Sequence, residues 1–404
     1  MEPQRQQVVI VGAGPAGMML AYQLATNGVS VRVLERHPDF KREFRGELVQ
    51  ASVVAALEKS GLMKELLARG LALPGVRRQM VLGHRRNVRV PGPVEVGAIV
   101  SQPGLLGLLH ESCSRHEGYR LDFGATVLEA VTTDGRVTAL KVRQGGVETT
   151  VAGDLFVVCN GRNSGLRKSF GLETIAFETT ANALWLRFDL RDAPEVLPKD
   201  VHVHMFGKGV VMVLQPSSAH RLHIAYSAPG DLNALKKDLP ALRARLLPTL
   251  RGRLRELVDA KLTEETETQV LKIVVDRVAS WHAPGILFLG DAAHTMSPSG
   301  GQGLNVAIRD TFVAANVLVP ALLEGKSIDA SLLEQIQSER EPEIDAIQKG
   351  QTRAAQMVMK PLVLLHVIFT ILGLAMIFLR AKLQRGHGLT PPEPRYLTTG
   401  PPPR

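Results

Sequence analysis

Two glycine-rich turns, almost a whole chain apart, constrain this sequence more than anything else in it. The first lies in VVIVGAGPAGMMLAYQLA, residues 8–25. An apolar run, VVIV, suits a strand buried on both faces of a parallel sheet. Gly12, Gly14 and Gly17 follow in G-x-G-x-x-G spacing, with Pro15 and Ala16 between them. A helix-forming stretch then ends at Gly28, and a second strand, VSVRVLE, runs from Val29 to Glu35. Each part has a physical task. Gly12 permits the tight turn, Gly14 lets backbone approach a pyrophosphate, and Gly17 lets helix and strand pack closely. The helix N-terminus offers unpaired N–H groups and a positive dipole. Glu35, with Arg36 after it, stands where an acid would accept hydrogen bonds from a ribose diol.

The second turn is GDAAHTMSPSGGQGLNVA, residues 290–307. It follows another apolar run, GILFLGD at 285–291, whose Asp291 would accept from a ribityl or sugar hydroxyl. Pro298, Gly300, Gly301, Gln302 and Gly303 then bring flexible backbone up to a helix expected near Leu304 and Asn305. A helix N-terminus aimed at a flat ring stabilises negative charge on it. Two phosphate-type turns converging on one ligand need a long one with a phosphate bridge in its middle. FAD meets that description, with its ADP half at Gly12–Gly17 and its ribityl–flavin half at Asp291–Asn305.

Bulk properties bound the alternatives. At 404 residues the chain exceeds one ordinary core, so two domains, consecutive or interleaved, are expected. A net charge of +9 would attract acidic surfaces. Aromatic residues are only 4%, however, and no nucleic-acid-binding motif accompanies the charge, so no nucleic acid is expected. The basic residues cluster in short loops such as HRRNVRV at 84–90 and near the C-terminus, which suits an anionic cofactor or a membrane surface. The cysteines are two, Cys113 and Cys159, and no secretory signal opens the chain, which points to a reducing cytoplasm. The scattered histidines offer no metal-ligand spacing.

With both turns read, the sequence resembles the para-hydroxybenzoate hydroxylase-like (group A) flavoprotein monooxygenases over roughly residues 7–320. GDAAHTMSPSGGQGLNVAIRD carries most of that resemblance. Arg45, in FRGELVQ, matches the family's arginine beside the flavin, and GELVQ is most similar to the squalene monooxygenase branch. Gln102 falls where the family often has an FAD-contacting arginine. The family's Asp-Gly motif appears as CNGRNSGLRKSFG, with Asn160 in place of the aspartate and Gly161, Ser164 and Arg167 in register. An amide keeps a hydrogen-bonding oxygen but not the charge. FAD binding is therefore expected to survive while use of the nicotinamide donor weakens. The resemblance places this motif, with Arg167 and Lys168, near the FAD pyrophosphate and the nicotinamide donor; an ordinary solvated charge pair is the alternative.

The resemblance implies an α/β (α+β overall) architecture: a Rossmann-like FAD-binding domain with an inserted antiparallel-sheet substrate domain and a C-terminal helical segment. The FAD-binding domain would occupy 1–75, 99–175 and 271–330, the substrate domain 76–98 and 176–270, and the C-terminal helices 331–404. Short β runs at 184–190, 202–216 and 220–229 and a helix over 233–259 fill the insertion. No catalytic acid or base is assigned. Trp185, His204, His223 and Tyr226 lie on the predicted sheet and are the candidates for the cavity wall.

The apolar run PLVLLHVIFTILGLAMIFL, residues 361–379, is the remaining strong feature. The eighteen uncharged residues from Leu362 to Leu379 would make a helix of about 27 Å, near the lower limit for spanning a bilayer. Lys360 precedes it, and Arg380, Lys382 and Arg385 follow. The run either associates with a membrane through 361–385, at its cytoplasmic face, or packs on the protein. The last stretch, LTPPEPRYLTTGPPPR, is Pro-rich and is expected to be an extended or disordered tail. The function implied is an FAD-dependent monooxygenase, hydroxylase or epoxidase, using NAD(P)H and O2 on a lipophilic aromatic or isoprenoid substrate through a flavin C4a-hydroperoxide. A geranylgeranyl reductase-like enzyme and a non-catalytic FAD-binding, membrane-associated protein remain alternatives. Flavin halogenases lack support, because no W-x-W-x-I-P run is present.

Overall fold

The computed structural model describes residues 6–41, 47–83, 86–88, 96–177, 182–218, 220–298, 300–383 and 391–397, with 86–88, 96 and 373–383 as backbone only. Arg45 and Arg385 therefore lie outside the described residues.

The apolar runs read from sequence become the centre of a largely parallel sheet. Its order is His282–Ala283, Ile286–Phe288, Val147–Val158, Gln6–Val11, Val31–Glu35, Tyr119–Phe123. Val8, Val9 and Ile10 are fully buried, as expected for strands covered on both faces. Gln6–Val11 lies between the strand that ends in Glu35 and the one that ends just before Cys159 and Asn160. Ile286–Phe288 pairs in parallel with the same Val147–Val158 strand, so both glycine turns leave one edge of one sheet. The helices Pro15–Thr26 and Gln302–Leu323 follow those turns and pack together within one core. Both cysteines are buried, and burial pushes both thiols far above their ordinary range.

The second large sheet has the order Thr268–Leu271, Ala183–Asp189, Arg221–Ser227, Val210–Pro216, Val201–Gly207, Ala72–Leu82, Val96–Val100, Leu48–Val49. Ala72–Leu82 is the joint. Its first half pairs with Val96–Val100 and its second half with Val201–Gly207, with a register shift at Pro74/Val76 beside Gly75 (φ +72°). One face of this sheet is apolar in alternation: Leu184, Leu186, Phe188, Met212, Leu214, Leu222, Ile224 and Tyr226. That face is covered by three short helices, Leu232–Lys237, Leu239–Leu246 and Gly252–Lys261, rather than by the single helix expected over 233–259. The reason is local. Asp238 caps a new helix, Pro248 sits in a 3₁₀ turn, and Gly252 takes φ +56°.

The helices Ala330–Val358 and Leu362–Leu383 close the described fold apart from 391–397. The latter is tied to the sheet at its start, where Lys208 N donates to Lys360 O (3.0 Å) and Gly209 N to Val358 O (3.0 Å). Leu365 and Phe369 bury against Leu82 and Met205, whereas Val363, Leu364, Val367, Ile371 and Leu372 stay exposed.

Candidate functional site: the flavin cradle and the facing sheet

The first turn is built as its glycines require. Gly12 takes φ +103°, and a Cβ there would sit 2.7 Å from Cys159 O. A Cβ on Gly17 would sit 1.9 Å from Gly12 O, so any side chain forces helix and strand apart. A Cβ on Gly14 meets only Cys159 O at 4.0 Å, so that backbone faces open space. Pro15 opens the helix and Ala16 is buried. Buried Glu35 accepts from Ala13 N (2.7 Å) and His37 N (2.9 Å), bracing the turn; Arg36 is exposed.

The second turn arrives beside the first. A Cβ on Gly290 would lie 3.3 Å from that of Ala16 and 3.2 Å from that of Ala307, which brings both turns and the second helix to one point. Asp291 lies in a 3₁₀ turn rather than at the strand end itself, with Oδ1 3.9 Å from a Cβ placed on Gly303. The following helix starts at Gln302, ahead of Leu304, with Gly301 before it at φ +63°. Pro298 is exposed. Asn305 is fully buried. Its Oδ1 accepts from Gln50 N (2.7 Å), and its Nδ2 donates to Leu48 O (2.9 Å) and Gly301 O (2.7 Å). One side chain thus clamps the segment after Glu47 to the second glycine turn.

Beneath this turn lies a buried charge network. Asp310 accepts from Gly290 N (3.1 Å), His294 Nε2 (2.8 Å) and Arg340 Nε (2.9 Å). Burial opposes its charge, but His294 and Arg340 outweigh burial and hold the carboxyl below its ordinary value. Arg309 links Gln50 (3.1 Å) to Glu343 (2.6 Å), beside a cavity of about 370 Å³ also lined by Ser52 and Gln302.

The third motif abuts the first: a Cβ on Gly12 would come 2.8 Å from Asn160 Cα. Asn160 Oδ1 and Gln102 Oε1 are buried with no partner among the described residues. Such atoms call for a donor, which a ribose hydroxyl or a flavin N–H supplies. Arg167 is not part of a solvated charge pair. It is buried, ion-paired to Asp276 (3.2 Å) and bonded to Thr174 Oγ1 (3.2 Å), while Lys168 is exposed.

The cradle faces the uncovered side of the second sheet. Register separates the four sheet candidates. Trp185 and His223 project to this side, with Arg187 directly opposite His223 and Gln215 opposite it on the next strand. Tyr226 belongs to the helix-covered face, and His204, opposite Met212, shares that face; neither lines the cavity as expected. Leu48, Val76, Val201 and Val213 form an apolar patch on the cradle side, and a Cβ on Gly301 would lie 3.3 Å from Leu48.

The profile of the FAD binding domain family matches residues 5–350. The chain belongs to the FAD-dependent monooxygenase family. It is 28% identical to a 6-methylpretetramide 4-monooxygenase of Streptomyces rimosus, over 87% of this chain and 84% of that protein. It is 27% identical to a kynurenine 3-monooxygenase of Salinispora arenicola, over 86% and 79%. Among solved structures, p-nitrophenol 4-monooxygenase of Pseudomonas putida superposes with a TM-score of 0.78 at 18% identity, covering 96% of this chain and 99% of that one. The protein is an oxidoreductase, and FAD is its cofactor.

The cradle fits that cofactor on its own evidence, since both turns meet, Gly14 is open and two buried acceptors await a donor. Sequence reasoning missed three residues of this monooxygenase's facing sheet: Glu47, Arg187 and Gln215. The alternation that marks Trp185 marks Arg187 two residues on, and Glu47 stands in the same FRGELVQ run as Arg45.

Proposed function

We propose that this monooxygenase transfers one oxygen atom of O2 to a lipophilic aromatic or isoprenoid substrate, with NAD(P)H as reductant. Bound FAD would supply the two-electron redox step and the activation of O2. Gly12, Gly14, Pro15, Ala16, Gly17 and Glu35 would hold its ADP half, and Asp291 through Asn305 its flavin half. The observation that carries the reading is the apolar patch of Leu48, Val76, Val201 and Val213 set against Gly301. Such a wall holds an apolar substrate and excludes water from the reacting centre. The sheet would serve as the substrate domain. Arg162 and Lys168, exposed around a cavity of about 210 Å³ beside the third motif, would meet the donor's phosphates.

The helix Leu362–Leu383 extends this reading. Its buried residues Leu365 and Phe369 seal one end of the cradle-side face, at Leu82 and Met205, and Val363, Leu364, Val367, Ile371 and Leu372 make an apolar exposed side. We propose that this side docks on an anionic bilayer. The run 361–385 carries no acidic residue, and lysine and arginine flank it in a chain of net charge +9. Substrate would then enter from the lipid.

The test is the visible spectrum of the purified protein, anaerobic, with NADH or NADPH added and then air. Yellow protein that bleaches, and reoxidises with oxygen uptake coupled to product, supports the monooxygenase. Reduction coupled to loss of a prenyl double bond without oxygen uptake would replace it by a reductase. Protein that binds no FAD would overturn the reading.

A further inference from the structure

The facing sheet holds a polar cluster that no part of the cofactor cradle uses. Glu47, Ser217 and Arg187 meet there: Ser217 hydrogen-bonds to the Glu47 carboxyl, and the charges of Arg187 and Arg221 act on it. Four side-chain atoms in and around this cluster are buried with no partner among the described residues: Glu47 Oε2, Trp185 Nε1, Gln215 Nε2 and His223 Nδ1. Trp185, Gln215 and His223 are themselves 7%, 6% and 3% exposed. Each unmet atom costs free energy unless something polar arrives. Three of them sit on neighbouring strands, and Glu47 reaches them from the segment that Asn305 ties to the second glycine turn. A ligand between that turn and the sheet therefore meets two donors and a carboxylate oxygen beside an apolar wall.

We propose that Glu47 is a catalytic residue, the base that accepts the hydroxyl proton of a phenolic substrate. The inference rests on the monooxygenase reading and narrows its substrate class from any lipophilic aromatic or alkene to one bearing an acidic hydroxyl. The substrate O–H bond breaks, the proton passes to Glu47 Oε2, and the electron pair stays on the substrate oxygen. Arg187, the indole N–H of Trp185 and the amide of Gln215 stabilise the resulting anion. That anion enriches the ring for attack by an electrophilic oxygen, and Glu47 returns the proton when the product leaves. Burial pushes the Glu47 carboxyl up to about 7, with Arg187, Ser217 and Arg221 pulling the other way. A base with that affinity is matched to neutral pH. His223, pushed down to about 4 by burial and by Arg187 and Arg221, stays neutral across the same range and adds no competing charge.

The experiment uses the full chain loaded with FAD and two probes, weakly acidic 4-methylphenol and strongly acidic 4-nitrophenol. Oxygen uptake coupled to hydroxylated product is followed across pH. For 4-methylphenol, Glu47→Gln should lower kcat about 100-fold or more, with KM and the rate of FAD reduction little changed. The rising limb near pH 7 should disappear, and activity should recover as alkali ionises the phenol. For 4-nitrophenol, which is ionised in solution just above neutral pH, the loss there should be small. Glu47→Asp should restore part of the rate. Equal loss for both probes, or no loss, overturns the proposal. So does wild-type protein that reduces its FAD yet turns over neither phenol. Protein that binds no FAD removes instead the monooxygenase reading beneath it.

Discussion

At the level of single residues, Glu47 has a consequence for stability that is independent of turnover. Its carboxyl ionises near 4.5 when unfolded and near 7 when folded. The stability contributed by the protonated form is fully present below the unfolded value and is lost as pH rises through about 7. The loss is bounded at roughly 3 kcal/mol, from about 1.4 kcal/mol per pH unit. Glu47→Gln should therefore be more stable than wild type at pH 8 by up to that amount, and the advantage should vanish at pH 4; denaturant unfolding at both pH values reads it. Gly17→Ala works in the opposite direction. Its Cβ would meet Gly12 O at 1.9 Å, so a loss of at least about 1–3 kcal/mol and weaker flavin retention are expected, measured by unfolding and by FAD titration. Gly17 was legible in the sequence because its contact is local. Glu47 was not, because its partners come from strands far along a sheet whose curvature no spacing reveals.

Among elements, the long helix Ala330–Val358 is held to the second turn by Arg340, and Asp310 is the shared acceptor. Removing one partner of a buried pair leaves the other charge unmet, which costs about 3–5 kcal/mol. Asp310→Asn should lose that much in chemical unfolding and release FAD more readily, because Gly290 loses its anchor. A variant that unfolds like wild type would show that His294 and Arg340 are satisfied otherwise. The sequence marks strands and turns well here, since apolar runs and glycines are read one residue at a time. It fails at 233–259, where the apolar pattern persists through three helices and only Asp238, Pro248 and Gly252 betray the breaks.

For the molecule as a whole, the strand Ala72–Leu82 joins the two halves of the second sheet into one hydrogen-bonded frame, and Asn305 ties that frame at Leu48 to the second glycine turn. The apolar side of Leu362–Leu383 borders that frame. Full-length protein should float with phosphatidylglycerol vesicles and less with phosphatidylcholine ones. Val363→Glu with Val367→Glu, both on exposed positions, should abolish flotation without moving the melting temperature. Flotation unchanged in that variant, or a dimer in its place by sedimentation, would show that the face serves something other than lipid. From sequence this run reads as either a packed or a membrane helix. In the structure one face packs on the protein at Leu365 and Phe369 and the other is exposed, over the residues up to 372 whose side chains are described.

The two cysteines acquire a meaning from the chemistry around them. Thiol oxidation proceeds through the thiolate, and burial keeps Cys113 and Cys159 protonated even though the Cys159 carbonyl lines the cofactor's own turn. A catalyst that handles oxygen stands next to its own waste. Here the soft atoms nearest the furnace are banked deep in the wall, so oxidant that escapes unproductively should damage solvent-facing methionines such as Met359 first. The working lifetime of the protein would then be set at its solvent-facing rim.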